Sequence, residues 1–319
     1  MTINFIGDIY LKNKVAISKE LNLDDIILNL EAPFSNIGTP AKNKINLFMD
    51  EANFFDTFAG HNILAVNLAN NHIMDYGEEA FDYTLDVLKN NNIPFFGAGK
   101  KQDRFNNPLI IKEEIALFGY ACPSTHPVFG DENNNGAALF EIDQVINEIK
   151  QYTGKYCVVV SLHWGQEYFS FPKPEDVIKA RRLIDAGADL IIGHHPHTIQ
   201  SFETYKNKHI FYSIGNGIFH NNIVNSMYNG TVFMNKYKMK YSKLNRISIL
   251  VTLDAETKLI SNKYIIYNSK KLEEVNSRYL NFRTKIFLKG RMYKLYRYIK
   301  FQYFRFRYQL NRIFNGIKQ

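Results

Sequence analysis

The sequence of 319 residues has few cysteines and no long apolar run. The two cysteines, Cys122 and Cys157, do not form a CxxC pair, so a disulfide framework is excluded and a reducing compartment is expected. No stretch of about 18 apolar residues occurs, which excludes an ordinary transmembrane helix. The first ten residues also lack the basic and apolar segments of a signal peptide, so we expect a cytoplasmic protein.

Acidic residues are absent after Glu274, although the rest of the chain has more acidic than basic residues. Of the 39 Lys and Arg residues, 12 lie between Arg278 and the C-terminus. We therefore expect two parts that interact with different partners. The first is a domain over residues 1–270, and the second is a basic, aromatic tail over residues 271–319.

Short apolar runs alternate with longer amphipathic segments in the first 220 residues. Continuous Val, Ile and Leu runs between helices are typical of strands buried on both faces of a largely parallel sheet. Near residues 108–120 and 246–266 the pattern favours antiparallel hairpins. We predict an α/β fold, a layered sandwich with mixed β-sheets flanked by helices. The predicted strands are 3–6, 25–30, 63–68, 114–120, 156–162, 189–192 and 209–213, and the predicted helices are 78–90, 142–153 and 174–186.

Polar residues that can bind metals follow five of the predicted strands. Because strand carboxyl ends line the crevice of an open α/β fold, we expect these side chains to meet. Together they would supply two carboxylates, an Asn and three to five His. This mixture suits Mn, Fe or Zn better than Ca, and Mg is a further candidate. In chain order, the groups contain Asp8, then Glu31, then Asn70, Asn71 and His72, then His163, and finally His194, His195 and His197.

Each of these groups alone has an ordinary structural explanation. A Gly-Asp pair after a strand is often a turn, and a single His at a strand end is often structural. Two asparagines before a His are also common in loops and caps. The Gly-His-His-Pro-His segment is more specific, and five groups in order favour a metal centre. The remaining candidates, His61, His126, His209 and His220, lack this context and are interpreted as ordinary histidines.

Longer stretches around these residues resemble a known family. The stretches are FIGDIYL at 5–11, NLEAPFS at 29–35, LANNHIMDYGEEAFDYTLDVLKNNNIPFFGAG at 68–99, SLHWGQEY at 161–168, and the segment 183–219 that contains GHHPH. Together they resemble the CapA family of capsule and poly-γ-glutamate synthesis proteins, which have a calcineurin-like metallophosphoesterase fold. The resemblance implies a phosphoesterase-type hydrolase with two divalent ions. It also implies a phosphorylated or acidic glycan or polymer precursor as substrate.

The resemblance further implies roles for residues in the first three stretches. Asp8 and Glu31 resemble the first-strand and bridging carboxylates, and Asn71 resembles the Asn that binds a metal. His72 resembles the acid that protonates the leaving oxygen. Asp75 is expected to orient His72, and both residues are predicted to be catalytic.

Later stretches resemble the family's histidine ligands. His163, His195 and His197 are expected to bind the metals, because they match the His positions of the later motifs. Glu167 and His194 are expected to support these ligands without binding the ions themselves.

The first motifs depart from the wider superfamily. Tyr10 stands where a His is usual, Glu31 stands where Asp is usual, and Ile73 replaces an acid after His72. Two other functions therefore stay open beside the phosphoesterase. The chain is alternatively a non-catalytic binding subunit of a membrane-associated polymer synthesis complex, or a metal-assisted amide hydrolase.

The tail pattern predicts a long amphipathic helix. Apolar residues recur at steps of three or four, with Lys and Arg between them. A cationic helix rich in aromatics fits an anionic membrane surface, so we expect peripheral attachment to the inner face of the cell membrane or to a synthase complex there. Packing on the domain or on a second copy is an alternative, and nucleic-acid binding is less favoured. The stripe consists of Leu288, Met292, Leu295, Ile299, Tyr303, Phe306, Leu310, Ile313 and Ile317.

Overall fold

A computed structural model describes residues 1–100, 105 and 107–316, with side chains of the last helix described as far as Phe306. The described strands are β1 (Thr2–Tyr10), β2 (Ala16–Ile17), β3 (Asp25–Leu30), β4 (Asn62–Asn67), β5 (Phe95–Phe96), β6 (Ala98–Gly99), β7 (Leu109–Ile111), β8 (Ile115–Ala121), β9 (Gly136–Ala137), β10 (Cys157–His163), β11 (Leu190–His194), β12 (Phe202–Tyr205), β13 (Lys208–Phe211), β14 (Asn216–Phe219), β15 (Ile223–Tyr228), β16 (Phe233–Lys238), β17 (Ile247–Asp254), β18 (Ile260–Tyr267) and β19 (Lys271–Glu274). The helices are α1 (Glu51–Thr57), α2 (Gly77–Asn90), α3 (Ile142–Lys150), α4 (Pro174–Asp185), α5 (Arg278–Arg283) and α6 (Gly290–Gly316), with 3-10 turns at Lys19–Leu21, Pro123–Thr125 and Leu244–Arg246.

Two mixed sheets form the centre of the fold. The larger has the order β2-β19-β18-β17-β1-β3-β4-β5, with β14 also paired to β1, and the smaller has the order β12-β13-β11-β10-β8-β7. Strands β1, β3, β4 and β5 are parallel, as are β8, β10, β11 and β13. The predicted hairpins are confirmed, because β7 with β8 and β17 with β18 are antiparallel.

Both faces of each central sheet are buried, which explains the continuous apolar runs in the sequence. Side chains alternate between the two faces of a strand. In β10, Cys157 and Val159 pack in the core between the sheets, whereas Val158 and Val160 pack with α3 and α4. On the other side, α1 and α2 cover the larger sheet. The result is the predicted layered α/β sandwich.

The C-terminal helix α6 packs on the domain through an aromatic face. The backbone N–H of Ser170 donates to the hydroxyl of Tyr296 at 2.7 Å. The ring of Phe169 lies 5.7 Å from that of Tyr296 and 6.1 Å from that of Phe304. Tyr293 is buried nearer the start of the helix. The domain boundary near residue 270 stays a prediction, and β19, which follows it, pairs with β18.

The predicted apolar stripe lies on a different face of α6 and is exposed. Each of its members on the described part of the helix has at least 49% of its surface exposed. The predicted helix is thus confirmed, while its contact with the domain comes from residues outside the stripe. Within the described residues, no helix is long and apolar enough to cross a membrane. The exposed members are Met292, Leu295, Ile299, Tyr303 and Phe306. Leu288 precedes α6 and is partly buried, and the side chains of Leu310, Ile313 and Ile317 lie outside the described residues.

Candidate metal centre

The candidate site lies where the inner faces of both sheets change from apolar to polar residues. In β3, Ile27 belongs to the core between the sheets, and Asn29 follows two residues later. In β10, Val159 belongs to the same core and is followed at steps of two by Ser161 and His163. Because parallel strands end at a common edge, the alternation that builds the core also brings these polar residues together.

Two asparagines connect the strand ends. Nδ2 of Asn67 donates to Oδ1 of Asn29 at 3.3 Å and to Oγ of Ser161 at 3.1 Å, which joins the two sheets. Nδ2 of Asn29 donates in turn to Oδ1 of Asp8 at 2.9 Å and to Oε2 of Glu31. Asn29 therefore holds the two predicted metal-binding carboxylates beside each other.

Asp8 is fully buried and is surrounded by hydrogen-bonding histidines. Its Oδ1 lies 3.1 Å from Nδ1 of His194, and its Oδ2 lies 3.2 Å from Nδ1 of His197. Gly7 is part of β1, so the Gly-Asp pair is not a turn. A Cβ atom at Gly7 would lie 1.9 Å from the carbonyl oxygen of Gly215, which shows why a residue without a side chain precedes Asp8.

Glu31, Asn71 and His163 form a second group next to Asp8. Nε2 of His163 lies 2.7 Å from Oδ1 of Asn71 and 3.6 Å from Oε1 of Glu31. Both Glu31 and His163 are fully buried. A buried carboxylate against a buried imidazole is costly unless the remaining polar atoms find partners.

The two carboxylates have opposite protonation preferences. Burial and the negative charge of Asp8 raise the pKa of Glu31 well above its usual range. Burial also opposes ionisation of Asp8, but hydrogen bonds from His194 and His197 outweigh it and hold the pKa of Asp8 well below its usual range. Ionisation is thus favoured at Asp8 and opposed at Glu31, and a bound cation would favour ionisation of Glu31 as well.

The segment after β11 places two histidines through an unusual backbone. His195 has a φ of 91° and His197 a φ of 50°, both in the left-handed region that residues with a Cβ rarely adopt. Such conformations cost on the order of 1–3 kcal/mol each and are concentrated at functional sites. Both residues follow the end of β11. Nδ1 of His197 reaches Asp8, and the ring of His195 lies 4.9 Å from that of His163.

The imidazoles around the carboxylates differ in basicity. Burial lowers the pKa of His163 and of His195 well below the usual value, and neighbouring histidines add to the effect. Burial also opposes protonation of His197, but its hydrogen bond to Asp8 outweighs this and raises its pKa. His163 and His195 are thus neutral at pH 7, the form in which imidazole binds metals.

His72 and Asp75 form a buried pair with Lys44. Nδ1 of His72 lies 2.6 Å from Oδ2 of Asp75, which also accepts the backbone N–H of Leu47 at 2.7 Å. Nζ of Lys44 lies 2.5 Å from Oδ1 of Asp75. Burial lowers the pKa of His72, Asp75 opposes this change, and Lys44 adds to it. The expected orientation of His72 by Asp75 is thus present in the structure, but Lys44 already compensates the carboxylate charge.

An open cleft of about 440 Å³ leads to the site. Asn71, His72, Glu167 and His195 lie along it. Three cationic side chains also line the cleft, Lys44, Lys173 and Arg297, and the last of these belongs to the tail helix α6. His126, interpreted from the sequence as an ordinary histidine, lies at this cleft as well.

The donor set fits divalent cations. Ligand atoms of Asp8, Glu31 and His197 lie within 4.8 Å of one another, as do those of Glu167, His195 and His197. Among the predicted metal ligands, three buried atoms have no hydrogen-bond partner in the described part of the chain: Oε1 of Glu31, Nδ1 of His163 and Nδ1 of His195. Unpartnered buried polar atoms are rare, and carboxylate oxygens with imidazole nitrogens are the donors that Mn, Fe and Zn prefer.

The structure brings the predicted site residues into one place, with some differences in detail. Glu167 lies in a ligand group, although the sequence suggests only a supporting position. His194 contacts Asp8 without belonging to either ligand group. Sequence reasoning placed Asn29 at the end of a predicted strand without giving it a role, and it missed Lys44 and Arg297. The period-two pattern of β3 could have indicated that Asn29 faces the site, whereas no sequence signal linked Lys44 or Arg297 to it.

Tyr10 explains one departure of the first motif. Its side chain is buried, and its ring lies 5.1 Å from that of Phe219. Nδ2 of Asn222 lies 3.5 Å from its hydroxyl, and burial raises the pKa of the phenol above its usual value. Tyr10 therefore remains a neutral core residue, and the first motif contributes Asp8 without a histidine.

A protein-family model matches more than half of the chain. The family model described as bacterial capsule synthesis protein PGA_cap matches residues 2–221. The chain belongs to this family. The resemblance to CapA proteins inferred from the sequence is thereby confirmed, and the match covers every predicted ligand of the candidate metal centre. The family has a metallophosphoesterase-like fold, in agreement with the layered sandwich.

Individual relatives in the family carry names that concern polymer synthesis. The capsule biosynthesis protein CapA of Bacillus anthracis is 31% identical over 223 residues, which are 66% of this chain and 52% of the relative. The PGA biosynthesis protein CapA of Bacillus subtilis (strain 168) is 34% identical over 165 residues, 50% of this chain and 43% of the relative. A probable polyglutamine synthesis accessory protein of Mycobacterium tuberculosis is 28% identical over 171 residues, 46% of this chain and 43% of the relative. The chain spans about half the length of the curated relatives it matches.

Proposed function

We propose that this PGA_cap protein is a metal-dependent hydrolase that cleaves a phosphoester during synthesis of a capsular polysaccharide or poly-γ-glutamate. One observation carries the proposal: buried carboxylates and neutral imidazoles, with unpartnered ligand atoms on Glu31, His163 and His195, meet at an open cleft lined by cations. The names of the relatives support the pathway, and the chemistry of the site supports the reaction.

Two metal positions are proposed. Asp8 and Glu31 would hold one ion, and Glu167 and His195 would hold the other. His197 is close to both groups and would supply its one free imidazole nitrogen to one of the two ions. Asn71 and His163, which contact each other beside Glu31, would complete the set. When bound, such ions lower the pKa of water and stabilise negative charge at phosphorus.

Residues along the cleft would bind and protonate the substrate. Lys173 and Arg297 supply positive charge on the wall of the cleft, which suits a phosphorylated or acidic glycan or polymer precursor. Nδ1 of His72 is engaged by Asp75, so Nε2 is the nitrogen left to protonate the leaving oxygen.

A binding subunit without turnover is the second candidate function, and one observation favours it. Lys44 pairs with Asp75 at 2.5 Å and adds to the lowered pKa of His72, so the proposed acid is neutral at pH 7 before a substrate binds. An anionic substrate beside His72 would raise this pKa again. An amide substrate would use the same residues and is distinguished by assay.

Hydrolysis assays test the proposal with Asp8→Asn. The Mn- or Zn-loaded protein is expected to release product from a phosphomonoester or phosphodiester. Asp8→Asn should lower turnover at least about a hundredfold, because a neutral amide no longer supplies the buried anionic ligand. The exposed Asp143→Asn has the same chemical change and should retain full turnover. Cleavage of poly-γ-glutamate alone would favour the amide hydrolase, and no cleavage of any substrate would favour the binding subunit.

The exposed stripe of α6 supports a membrane-peripheral location. We propose that the stripe inserts into an anionic lipid surface, because the exposed Arg291, Lys294 and Arg305 lie on the same helix. Apolar side chains with basic residues beside them are typical of helices that lie in the interface plane. The aromatic face that packs on Phe169 would remain on the domain.

Flotation with lipid vesicles tests this location. Wild type is expected to float with vesicles that contain phosphatidylglycerol and not with phosphatidylcholine alone. Leu295→Glu/Ile299→Glu should reduce binding more than about tenfold, since each buried aliphatic side chain contributes about 1.5–3 kcal/mol. Leu259→Glu, at an exposed Leu outside α6, is the control. Equal binding of the stripe variant and wild type would contradict the location.

A further inference from the structure

A second cleft of about 400 Å³, here called the Arg283 cleft, lies next to the metal centre, and Tyr168 lines it. Lys238, Lys240, Arg283 and Lys300 line it, together with Tyr168 and Phe304. No Asp or Glu is among the described residues that line it. Local sequence patterns do not group these cations, because they come from β16, the segment after it, α5 and α6.

Arg283 and Lys300 are half-buried cations that contact no carboxylate in the described part of the chain. Nη1 of Arg283 is buried and has no hydrogen-bond partner there, and its Nη2 reaches only the carbonyl oxygen of Ile199 at 3.4 Å. Nζ of Lys300 donates to the carbonyl oxygen of Tyr168 at 3.0 Å. Burial lowers the pKa of Arg283, and burial with the charge of Arg283 lowers that of Lys300. Such an arrangement destabilises the free protein.

Another arginine of the chain shows how such a charge is usually compensated. Arg181 forms two hydrogen bonds with the carboxylate of Glu203, at 3.0 and 2.6 Å. Neither Arg283 nor Lys300 has an ion pair of this kind among the described residues. The Arg283 cleft thus offers guanidinium and ammonium donors to an anion from outside the chain.

The Arg283 cleft and the metal centre are neighbours. The ring of Tyr168 lies 6.2 Å from that of His197 and 6.4 Å from that of Phe304. The helix α6 borders both clefts, because Arg297 lines the cleft at the metal centre and Lys300, three residues later, lines the Arg283 cleft. A long anionic molecule could therefore contact both clefts along one helix.

We propose that the Arg283 cleft binds an anionic group, phosphate or carboxylate, of an acidic polymer whose reacting bond lies at the metal centre. Anion binding here requires no metal. Only the identity of the polymer as the substrate rests on the proposed function. The cleft would select acidic chains over neutral ones of the same length, since a neutral chain leaves Arg283 and Lys300 uncompensated.

Binding of two polyanions to the full-length protein tests the proposal. Inorganic polyphosphate and an oligomer of γ-linked glutamate are titrated calorimetrically against wild type and Arg283→Gln/Lys300→Gln. Loss of both charges should weaken binding at least about tenfold. Lys89→Gln/Lys150→Gln removes two positive charges from exposed helix ends outside both clefts and should bind within about twofold of wild type. Binding of one polymer alone identifies the anion as phosphate or carboxylate.

The same titrations in an Asp8→Asn background separate this site from the metal centre. The effect of Arg283→Gln/Lys300→Gln is expected to persist there, even if Asp8→Asn abolishes hydrolysis. Without polymer, Lys300→Gln alone should have a melting temperature no lower than that of wild type, because the substitution relieves repulsion from Arg283. Added polymer should raise the melting temperature of this variant less than that of wild type. Failure of both polymers to bind, or equal weakening by the Lys89→Gln/Lys150→Gln control, would overturn the proposal.

Discussion

Protein purified without chelators is expected to carry roughly two transition ions per chain, and His195→Ala/His197→Ala close to none. His197 is shared by both groups of close ligand atoms, and His195 belongs to one of them. Removing both imidazoles therefore leaves each group with carboxylates alone. Elemental analysis of the purified proteins gives the ion content directly.

A metal-centre variant with less structural disturbance strengthens this test. Asp8→Asn keeps the size of the side chain and its contact with Asn29, but it removes the charge that His194 and His197 stabilise. We expect its ion content to fall as well, because Asp8 is the carboxylate that is already ionised without a metal. His209→Ala, at a histidine outside the site, should keep the wild-type content. A wild-type protein that stays empty after reloading with Mn or Zn would refute the metal centre and favour the binding subunit.

The sequence determines much of the fold because its strands are buried on both faces. Runs such as that of β10 can be recognised as strands, and the polar residues at their ends can be assigned to one edge of the sheets. The strand pattern alone is therefore sufficient to group Asp8, Glu31 and His163. The helix α1, with only seven residues, is too short to give a periodic pattern, and the β15–β16 hairpin was also missed.

Contacts between segments far apart in sequence were beyond prediction. The ion pair between Lys44 and Asp75 depends on a loop that packs beside α2, and nothing in the local sequence indicates it. In α6 the most regular apolar stripe is exposed, and the face that packs on the domain contains Tyr293, Tyr296 and Lys300. Amphipathic periodicity therefore identified the helix, but it did not identify the face that contacts the domain.

His72→Ala is expected to lower turnover about 10²–10⁴-fold, the usual contribution of a general acid. The ion content should stay at the wild-type value, because His72 is outside both groups of close ligand atoms. Activity and metal analysis on the same preparation separate the two effects. A variant that loses its ions, or one that keeps turnover within about threefold, would contradict the role of His72 as the acid.

The pH profile gives an independent test through Lys44. The charge of Lys44 contributes to the lowered pKa of His72, so Lys44→Met should raise that pKa. An acid with a higher pKa keeps its proton to higher pH, and the alkaline limb of the rate profile should therefore move to higher pH.

Lys173→Met is the control, because it removes the same charge from the same cleft and Lys173 is not a contributor to the pKa of His72. Lys173→Met is expected to weaken substrate binding and to leave the alkaline limb of the rate profile at the same pH. Because both lysines line the cleft, a shift confined to Lys44→Met would assign the titration to His72 and not to substrate binding.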